Sequence, residues 1–462
     1  SNTFNKKKTN KYVIFCIKEW VDKHPIGIIK NTLGDVDNLD NFYEYQLYCK
    51  NLNNSIQHFN KAVSNALKKS SQKHPIDEIM EKNGNIEDRT NCCVFSIDPH
   101  GCQDFDDAFG FIETAEGYMV SIYIADVIVW IEHLELWESF TERVSTIYFP
   151  DKKRPMLPSI LSDKLCSLQE GQRRFAFAMD IHIKMDEIIK IEYSKVLINV
   201  HKNFEYEEPD LLKDSNYGPL LSLTRELARN YKYLYSLADS HDVVAFYMIM
   251  MNHQVSKTMI TYKNGIYRSA QEGKADTVPG SLSAGVKQFM KIWKCSAGQY
   301  SCFTERKSHQ LIASGLDSYL HITSPIRRLV DLLNMIILQH NLNLKNVGPS
   351  DAAMEFYTSW IERLDFINLT MRSVRKVQSD CSLLHMYVND SMSPSYSGCI
   401  FDKTKKDNER FSYMVYITEL KIVSRITIRD DIENYSMKKF TTHLFMDEAK
   451  LKQKIRLQIV AD

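Results

Sequence analysis

Four carboxylates fall within ten positions of this chain: Asp98, Asp104, Asp106 and Asp107, inside the stretch from Phe95 to Gly110. No Lys or Arg stands among them. Carboxylates this close repel, and each resists ionising beside the others. A divalent cation removes the conflict. Mg²⁺ takes hard oxygen ligands and keeps part of its water shell, which suits acidic side chains at a turn. Spacing alone also admits a solvated acidic loop or a helix cap. Two features favour an ion: the flanking sequence is apolar, where bare charge is costly, and a distant segment supplies the opposite charge.

That segment reads Thr323-Ser324-Pro325-Ile326-Arg327-Arg328, with Asp331 just after it. A hydroxyl residue followed by Pro predicts a helix N-terminus, and the helix is expected over Ser324 to Asn343. Free amides there can hold a phosphate. Arg327 and Arg328 would then oppose the helix dipole in the first turn. A phosphate or the aspartate cluster would compensate; pairing with surface acids is the other reading. Together the two segments suggest metal-assisted phosphoryl transfer. Two Mg²⁺ ions ~4 Å apart can position a water and steady the leaving oxygen. An arginine can neutralise charge that develops on the phosphate.

These groups need a scaffold. Phe95 and Ile97 alternate into Asp98 as in a half-buried strand, and Pro99-His100-Gly101 ends it with a turn. Tyr118 to Trp130 is β-branched and aromatic and predicts a central strand. Asp126 within it reads either as functional or as a buried, hydrogen-bonded acid. A helix is expected over Trp137 to Tyr148, an irregular stretch around Pro155 to Pro158, and one or two strands over Phe175 to Ile191. Helices are expected over Leu212–Tyr235, Val243–Tyr262, Pro279–Cys295 and Ala352–Tyr387. The second of these is apolar nearly all round, which predicts burial, with Met248, Met250, Met251 and Met259 as core filler. Upstream, Tyr12–Ile17 and Pro25–Leu33 predict strands and Asn41–Lys50 a helix. Residues 1 to 10 carry Lys6-Lys7-Lys8 and read as a mobile arm. From Ser393 onward short strands alternate with charged turns, as in a small β-barrel. The expected division is 1–84, 85–390 and 391–462.

Lys plus Arg equals Asp plus Glu at 58 each, so the net charge is zero. This disfavours a generic polyanion coat and leaves room for a local basic groove. The ten cysteines are scattered without a Cys-x-x-Cys. Reduced thiols in an intracellular compartment are the expectation. The longest apolar run, Val243 to Met251, is far shorter than a bilayer span, and no membrane partner is expected.

Ser96-Ile97-Asp98-Pro99-x-Gly101-Cys102-x-Asp104-x-Asp106-Asp107-Ala108 closely resembles a signature of the ribonuclease II / ribonuclease R (RNB) family of processive 3′-to-5′ exoribonucleases. The arginine segment with Asp331 resembles the second signature of that family. Ile124-Ala125-Asp126-Val127, Tyr148-x-Pro150 with Met156-Leu157-Pro158, and Leu161-Ser162 with Leu165-Cys166-Ser167-Leu168 match between them, in the family's order. The resemblance implies an α+β architecture: a central RNB-type catalytic domain of mixed sheet and helices. A partial N-terminal OB-like cold-shock barrel and a small C-terminal RNA-binding β-barrel would flank it. It implies that Asp98, Asp104, Asp106 and Asp107 hold Mg²⁺, with two ions and with Mn²⁺ as a substitute. Asp106 would be the most critical carboxylate and Arg327 would contact the scissile phosphate. Tyr148 would stack on a base of single-stranded RNA, and Thr323, Ser324 and Arg328 would join the RNA contacts. The product would be nucleoside 5′-monophosphates.

The chain departs from the pattern in places. Val244-Ala245-Phe246-Tyr247-Met248 stands where the family carries a ribose-contacting Glu. Tyr123 and Asn334 stand where it has His, and Arg372 and Arg375 mark a helix that lacks an obvious Glu. The strand-rich segment before Val243 is missing, and only part of one N-terminal barrel is visible. These departures bear on ribose selectivity and processivity, and a protein partner could supply the missing RNA surface. The leading expectation is a Mg²⁺-dependent exoribonuclease. The rival is a catalytically weak or inactive RNB-fold scaffold in a ribonucleoprotein. A metal-dependent phosphatase or DNA nuclease is the third reading.

Overall fold

In a computed structural model, the described residues are 9–69, 74–84, 86–270, 279–294, 298–310, 312, 315–344, 348–389, 392–406, 409–447 and 452–460. Most of the expected basic arm, residues 1–8, lies outside them. Strands β1 (Lys11–Glu19) and β2 (Ile26–Asp35) pair antiparallel. Among the described residues this ribbon is all the sheet that stands where a partial barrel is expected, and Val13, Phe15 and Ile17 on it are exposed. Helix α1 (Leu39–Cys49) follows; the Asn38 side chain caps it by accepting from the amides of Asp40 and Asn41. Helices α2 (Gln57–Lys69) and α3 (Pro75–Lys82) lead into the core.

The core is a closed five-stranded barrel. Its strands are β3 (Glu87–Asp98), β4 (Asp107–Thr114) and β5 (Gly117–Ala125), then, beyond the two-residue strands β6 (Ile147–Tyr148) and β7 (Lys153–Arg154), β8 (Arg173–Lys184) and β9 (Glu187–Glu205). The pairs are antiparallel except for β3 with β9, which closes the barrel in parallel and sets Asp98 opposite Glu205. The parallel closure brings the ends of both strands to one rim. From Arg174 to Ile181 every residue of β8 is buried, because one face fills the barrel and helices cover the other.

Two expectations are corrected here. The strand predicted over Tyr118–Trp130 stops at Ala125, and helix α4 (Val127–His133) takes over. A continuous apolar run does not distinguish a buried strand from a buried helix. Asp126 sits at the junction, 1% exposed, and accepts from Gln339 Nε2 at 3.0 Å. The helix predicted over Trp137–Tyr148 is only a 3-10 turn at Trp137–Ser139. Backbone groups farther along bond the arginine segment instead: Leu329 N donates to Val144 O at 2.9 Å, and Thr146 N donates to Arg327 O at 3.0 Å.

Helices α5 (Pro209–Lys213), α6 (Tyr217–Asn230) and α7 (Ser240–Tyr262) come next. The predicted helix from Leu212 is broken because Asp214 accepts from the amides of Asn216 and Tyr217. Met250, Met251 and Met259 of α7 are core filler at 0% exposure, whereas Met248 lines the cleft described below. Strand β10 (Ile266–Ser269), helix α8 (Ala284–Lys294) and strand β11 (Gln299–Cys302) precede α9 (Leu329–Leu342). Helix α9 is buried from Leu329 to Gln339. Its Asn334, at the position of a family His, bonds both the N–H and the C=O of Ile266. The long helical region after residue 351 is two helices, α10 (Asp351–Ile361) and α11 (Leu364–Val388). Among the described residues no helix is long and apolar enough to cross a membrane.

The last five strands form one antiparallel sheet: β12 (Tyr396–Lys405), β13 (Phe411–Ile417), β14 (Ile422–Ile428), β15 (Met437–Asp447) and β16 (Lys452–Ile459). Their order is β14-β13-β12-β15-β16, and the sheet curls until β14 and β16 flank a shared groove. The short strands expected from Ser393 onward are thus present.

Candidate active site

The acidic loop starts where β3 runs out. Tyr206 N donates to Asp98 O at 3.1 Å, and Cys102 N closes a turn on Pro99 O at 3.1 Å. Gly101 takes φ +74° within it, a conformation open to glycine at little cost. Buried Ser167 pins the far side: its hydroxyl donates to Gln103 O at 2.8 Å and accepts from Phe105 N at 3.0 Å. Ala125 N donates to Asp106 O at 2.9 Å, and β4 begins at Asp107. The spacing of the aspartates therefore reflects a strand end, a pinned loop and a strand start.

Arg327 reaches this loop from a tight turn, which corrects the predicted helix start. The backbone amides of Arg327 and Arg328 both bond Ser324 O, and α9 begins only at Leu329, with Arg328 in extended conformation as its cap residue. Asp331, in the first turn of α9, reaches back to hold the segment. It accepts from Ser324 N and from Arg328 Nη2, each at 2.8 Å. The arginine–dipole conflict thus does not arise for Arg327, and Arg328 is answered by Asp331. Asp331 is fully buried. We expect Asp331→Ala to cost about 3 kcal/mol, the low end for breaking a buried ion pair, because the Arg328 side chain keeps 23% exposure. Urea unfolding followed by circular dichroism measures it; a loss under ~0.5 kcal/mol, the size of an ordinary surface change, would refute the assignment.

All nine predicted site residues line one cleft of about 990 Å³: the four aspartates, Tyr148, Thr323, Ser324, Arg327 and Arg328. The two signatures meet directly. Arg327 Nε donates to Asp106 Oδ2 and Ile326 N donates to Asp106 Oδ1, each at 2.9 Å. Arg327 Nη2 donates to Ser324 Oγ at 3.0 Å. Asp106 is 2% exposed, whereas the Arg327 side chain keeps 44%. Burial pushes the Asp106 carboxyl up to about 7 against the pull of Arg327 and the Ile326 amide. Burial likewise raises Asp98 to about 6, and Asp107 well above the carboxylate range, with Asp98 and Asp106 adding repulsion. Burial opposes the Arg327 charge, yet Asp106 and Tyr148 hold its pKa above the ordinary value.

Tyr148 is 39% exposed, and its hydroxyl donates to Asp104 Oδ2 at 2.7 Å. Its amide donates to Gln378 Oε1 of α11 at 3.2 Å. Three contributors were not among the predicted site residues. Lys153 Nζ lies 3.0 Å from Asp104 Oδ1 and 2.8 Å from Asp163 Oδ1. Ser167 and Gln378 position the loop and the tyrosine. The only local signal for Lys153 is the basic run Lys152-Lys153-Arg154, in which no residue stands out.

Among the described residues, no three His, Cys, Asp or Glu side chains converge into a ready-made metal site. Asp104 is taken by Tyr148 and Lys153, and Asp106 by Arg327 and the Ile326 amide. Asp98 Oδ2 is buried and has no hydrogen-bond partner. Mg²⁺ is usually held by one or two carboxylates, with water and substrate phosphate completing its shell. Asp98 and Asp107 fit such an ion.

Known proteins resemble the chain in sequence and in fold. The model of the RNB domain matches residues 86–232. The human exosome complex exonuclease RRP44 is 33% identical over 211 residues, which cover 44% of this chain and 21% of that protein. Ribonuclease R of Chlamydia pneumoniae is 25% identical over 345 residues, covering 59% of this chain and 50% of its own length. The chain thus spans about a fifth to a half of the curated relatives it matches. The apo form of Mycoplasma genitalium RNase R superposes with TM-score 0.73 at 16% identity, over 99% of this chain and 84% of that one. Yeast Ssd1, described as a pseudonuclease, superposes with TM-score 0.65 at 15% identity, over 90% and 59%. Residues 86–232 thus carry an RNB domain, and the chain is similar in sequence and in fold to ribonuclease R.

Proposed function

We propose that this protein is a Mg²⁺-dependent 3′-to-5′ exoribonuclease that hydrolyses single-stranded RNA to nucleoside 5′-monophosphates. The reading rests on one observation above others: Arg327 sits on Asp106, inside the same cleft as Asp98, Asp104 and Asp107. The half-exposed guanidinium is fixed by Asp106 and Ser324 and keeps donors free for a phosphate. Asp98 and Asp107 would hold the ion, with Mn²⁺ able to substitute. When bound, it supplies Lewis-acid polarisation and a nucleophilic water. The exposed ring of Tyr148 offers a π-face to a base near the reacting end, and its hydroxyl anchor on Asp104 fixes the ring's tilt. The groove between β14 and β16 presents Arg425, Lys454 and Arg456 to upstream phosphates. A protein partner would extend that grip. The test is a time course on 3′-single-stranded, 5′-labelled RNA with and without Mg²⁺. Stepwise shortening with monophosphate release supports the reading; internal fragments or intact RNA overturn it.

Val244, Ala245 and Met248 line the cleft where the family places an acid against the terminal ribose. We therefore expect a shallow preference for RNA over DNA, within about tenfold in kcat/KM, because a hydroxyl contact is worth about 1.4 kcal/mol. A pair of oligomers of one sequence measures it; a preference above about a thousandfold would locate a ribose contact elsewhere.

The scaffold reading also has support: Asp104 and Asp106 are each neutralised by a cation of the chain itself. Under it, RNA binds and stays whole in every divalent ion tried.

A further inference from the structure

The cleft contains a fixed positive charge that neither signature includes. Lys153 bridges Asp104 at 3.0 Å and Asp163 at 2.8 Å. The side-chain exposures of Lys153, Asp104 and Asp163 are 18%, 8% and 22%, so the bridge is largely shielded from water. The ammonium does not arrive on a free tether. Lys153 lies in β7, paired directly across from Tyr148 of β6. Tyr148 donates to the second oxygen of the same Asp104 at 2.7 Å. Asp163 stands on the single helical turn Leu161–Leu165 and also accepts from Ser162 Oγ at 2.6 Å. Both Asp104 oxygens are therefore engaged, and the engaging groups are held by strand register and by a second acid.

The other side of the cleft differs. Asp98 is 9% exposed, and its Oδ2 is buried without a partner. Asp107 lines the same wall. An ion entering there meets oxygen that nothing else uses. An ion approaching Asp104 must first displace an ammonium from two carboxylates.

We propose that Lys153 stands in for a second divalent ion, so that the site takes a single Mg²⁺ at Asp98 and Asp107 with the Lys153 ammonium as the permanent charge at Asp104. This rests on the exoribonuclease reading and refines it. An ammonium is a compact point charge with three donors. Two are spent on Asp104 and Asp163, and the third is left for a phosphate oxygen of the substrate. Lys153 is thereby a positioning residue for Asp104 and Tyr148 and a charge partner for bound RNA.

The experiment counts ions on the full chain without RNA, by Mn²⁺ titration followed by electron paramagnetic resonance. Wild type should bind one Mn²⁺. Lys153→Met should gain a second, and Lys153→Arg should stay at one. Asp104→Asn should leave the wild-type site at one ion with affinity within about threefold. Two ions, or none, in the wild type overturn the proposal. So does a Lys153→Met protein that stays at one, or a more than tenfold affinity loss in Asp104→Asn. Where Lys153→Met does not fold by circular dichroism, the wild-type count and Asp104→Asn still decide. RNA cleavage, assayed separately, tells the two readings apart. Two ions with cleavage remove only the Lys153 assignment; one ion without cleavage in Mg²⁺ or Mn²⁺ removes only the exoribonuclease reading.

Discussion

Asp106→Asn should lower kcat by ~10³-fold or more while RNA affinity stays within about threefold, as expected for loss of a preorganised charge at the reacting centre. Both Asp106 oxygens are in use, one by the Ile326 amide and one by Arg327 Nε. An asparagine fills the same volume but carries two N–H donors on one side. Whichever way it turns, one of the two contacts becomes donor against donor. The guanidinium then loses the anchor that aims it. RNA affinity, by contrast, comes mainly from phosphate and stacking contacts along the strand, and these do not pass through Asp106. The variant should fold. Burial already penalises the Asp106 charge, which is why its carboxyl rises to about 7. Removing the charge relieves that cost, and Arg327 at 44% exposure can be solvated. Single-turnover cleavage with a parallel filter-binding assay separates the two quantities. Loss of turnover and binding together would contradict the assigned role.

Arg327→Lys should cut kcat by ~10²–10³-fold with little change in stability, the scale for removing one preorganised donor to transition-state charge. Arg327 reaches Asp106 through Nε and Ser324 through Nη2 at the same time. A lysine has no donor at the Nε position and carries all its donors on one terminal nitrogen, so it cannot reproduce both the Nε contact to Asp106 and the Nη2 contact to Ser324. Thr146 N bonds the backbone oxygen of Arg327, so the main chain stays in place when the side chain changes. A rate within threefold of wild type would show that Arg327 is merely an ion-pair partner. Thermal melting alongside guards against a folding defect.

The consequences of these two substitutions follow from a contact 221 residues apart in sequence. Both halves of that contact are visible locally, because each is a short run of distinctive residues. The strand into Asp98, the turn at Pro99 to Gly101 and the C-terminal strands are visible in the same way. Their cues are alternation and turn chemistry, which consecutive residues encode. The family signatures extend the reading to the roles expected of Asp106, Arg327 and Tyr148.

Other features depend on partners far along the chain. The start of α9 moves from Ser324 to Leu329 because the amides of Arg327 and Arg328 turn onto Ser324 O and Asp331 claims the Ser324 amide. The apolar run after Tyr118 divides at Asp126 because Gln339, on a helix far downstream, receives that acid. Lys152, Lys153 and Arg154 are three adjacent cations with nothing local to rank them. The pairing of β6 with β7 ranks them: Lys153 goes to Asp104, while Arg154 goes to Glu44 and Asp151. Residue order thus determined the chemical inventory, the local strands and turns and the family resemblance. Tertiary structure alone decided which cation meets which carboxylate, because side chains alternate sides along a strand and register selects the partner each one meets.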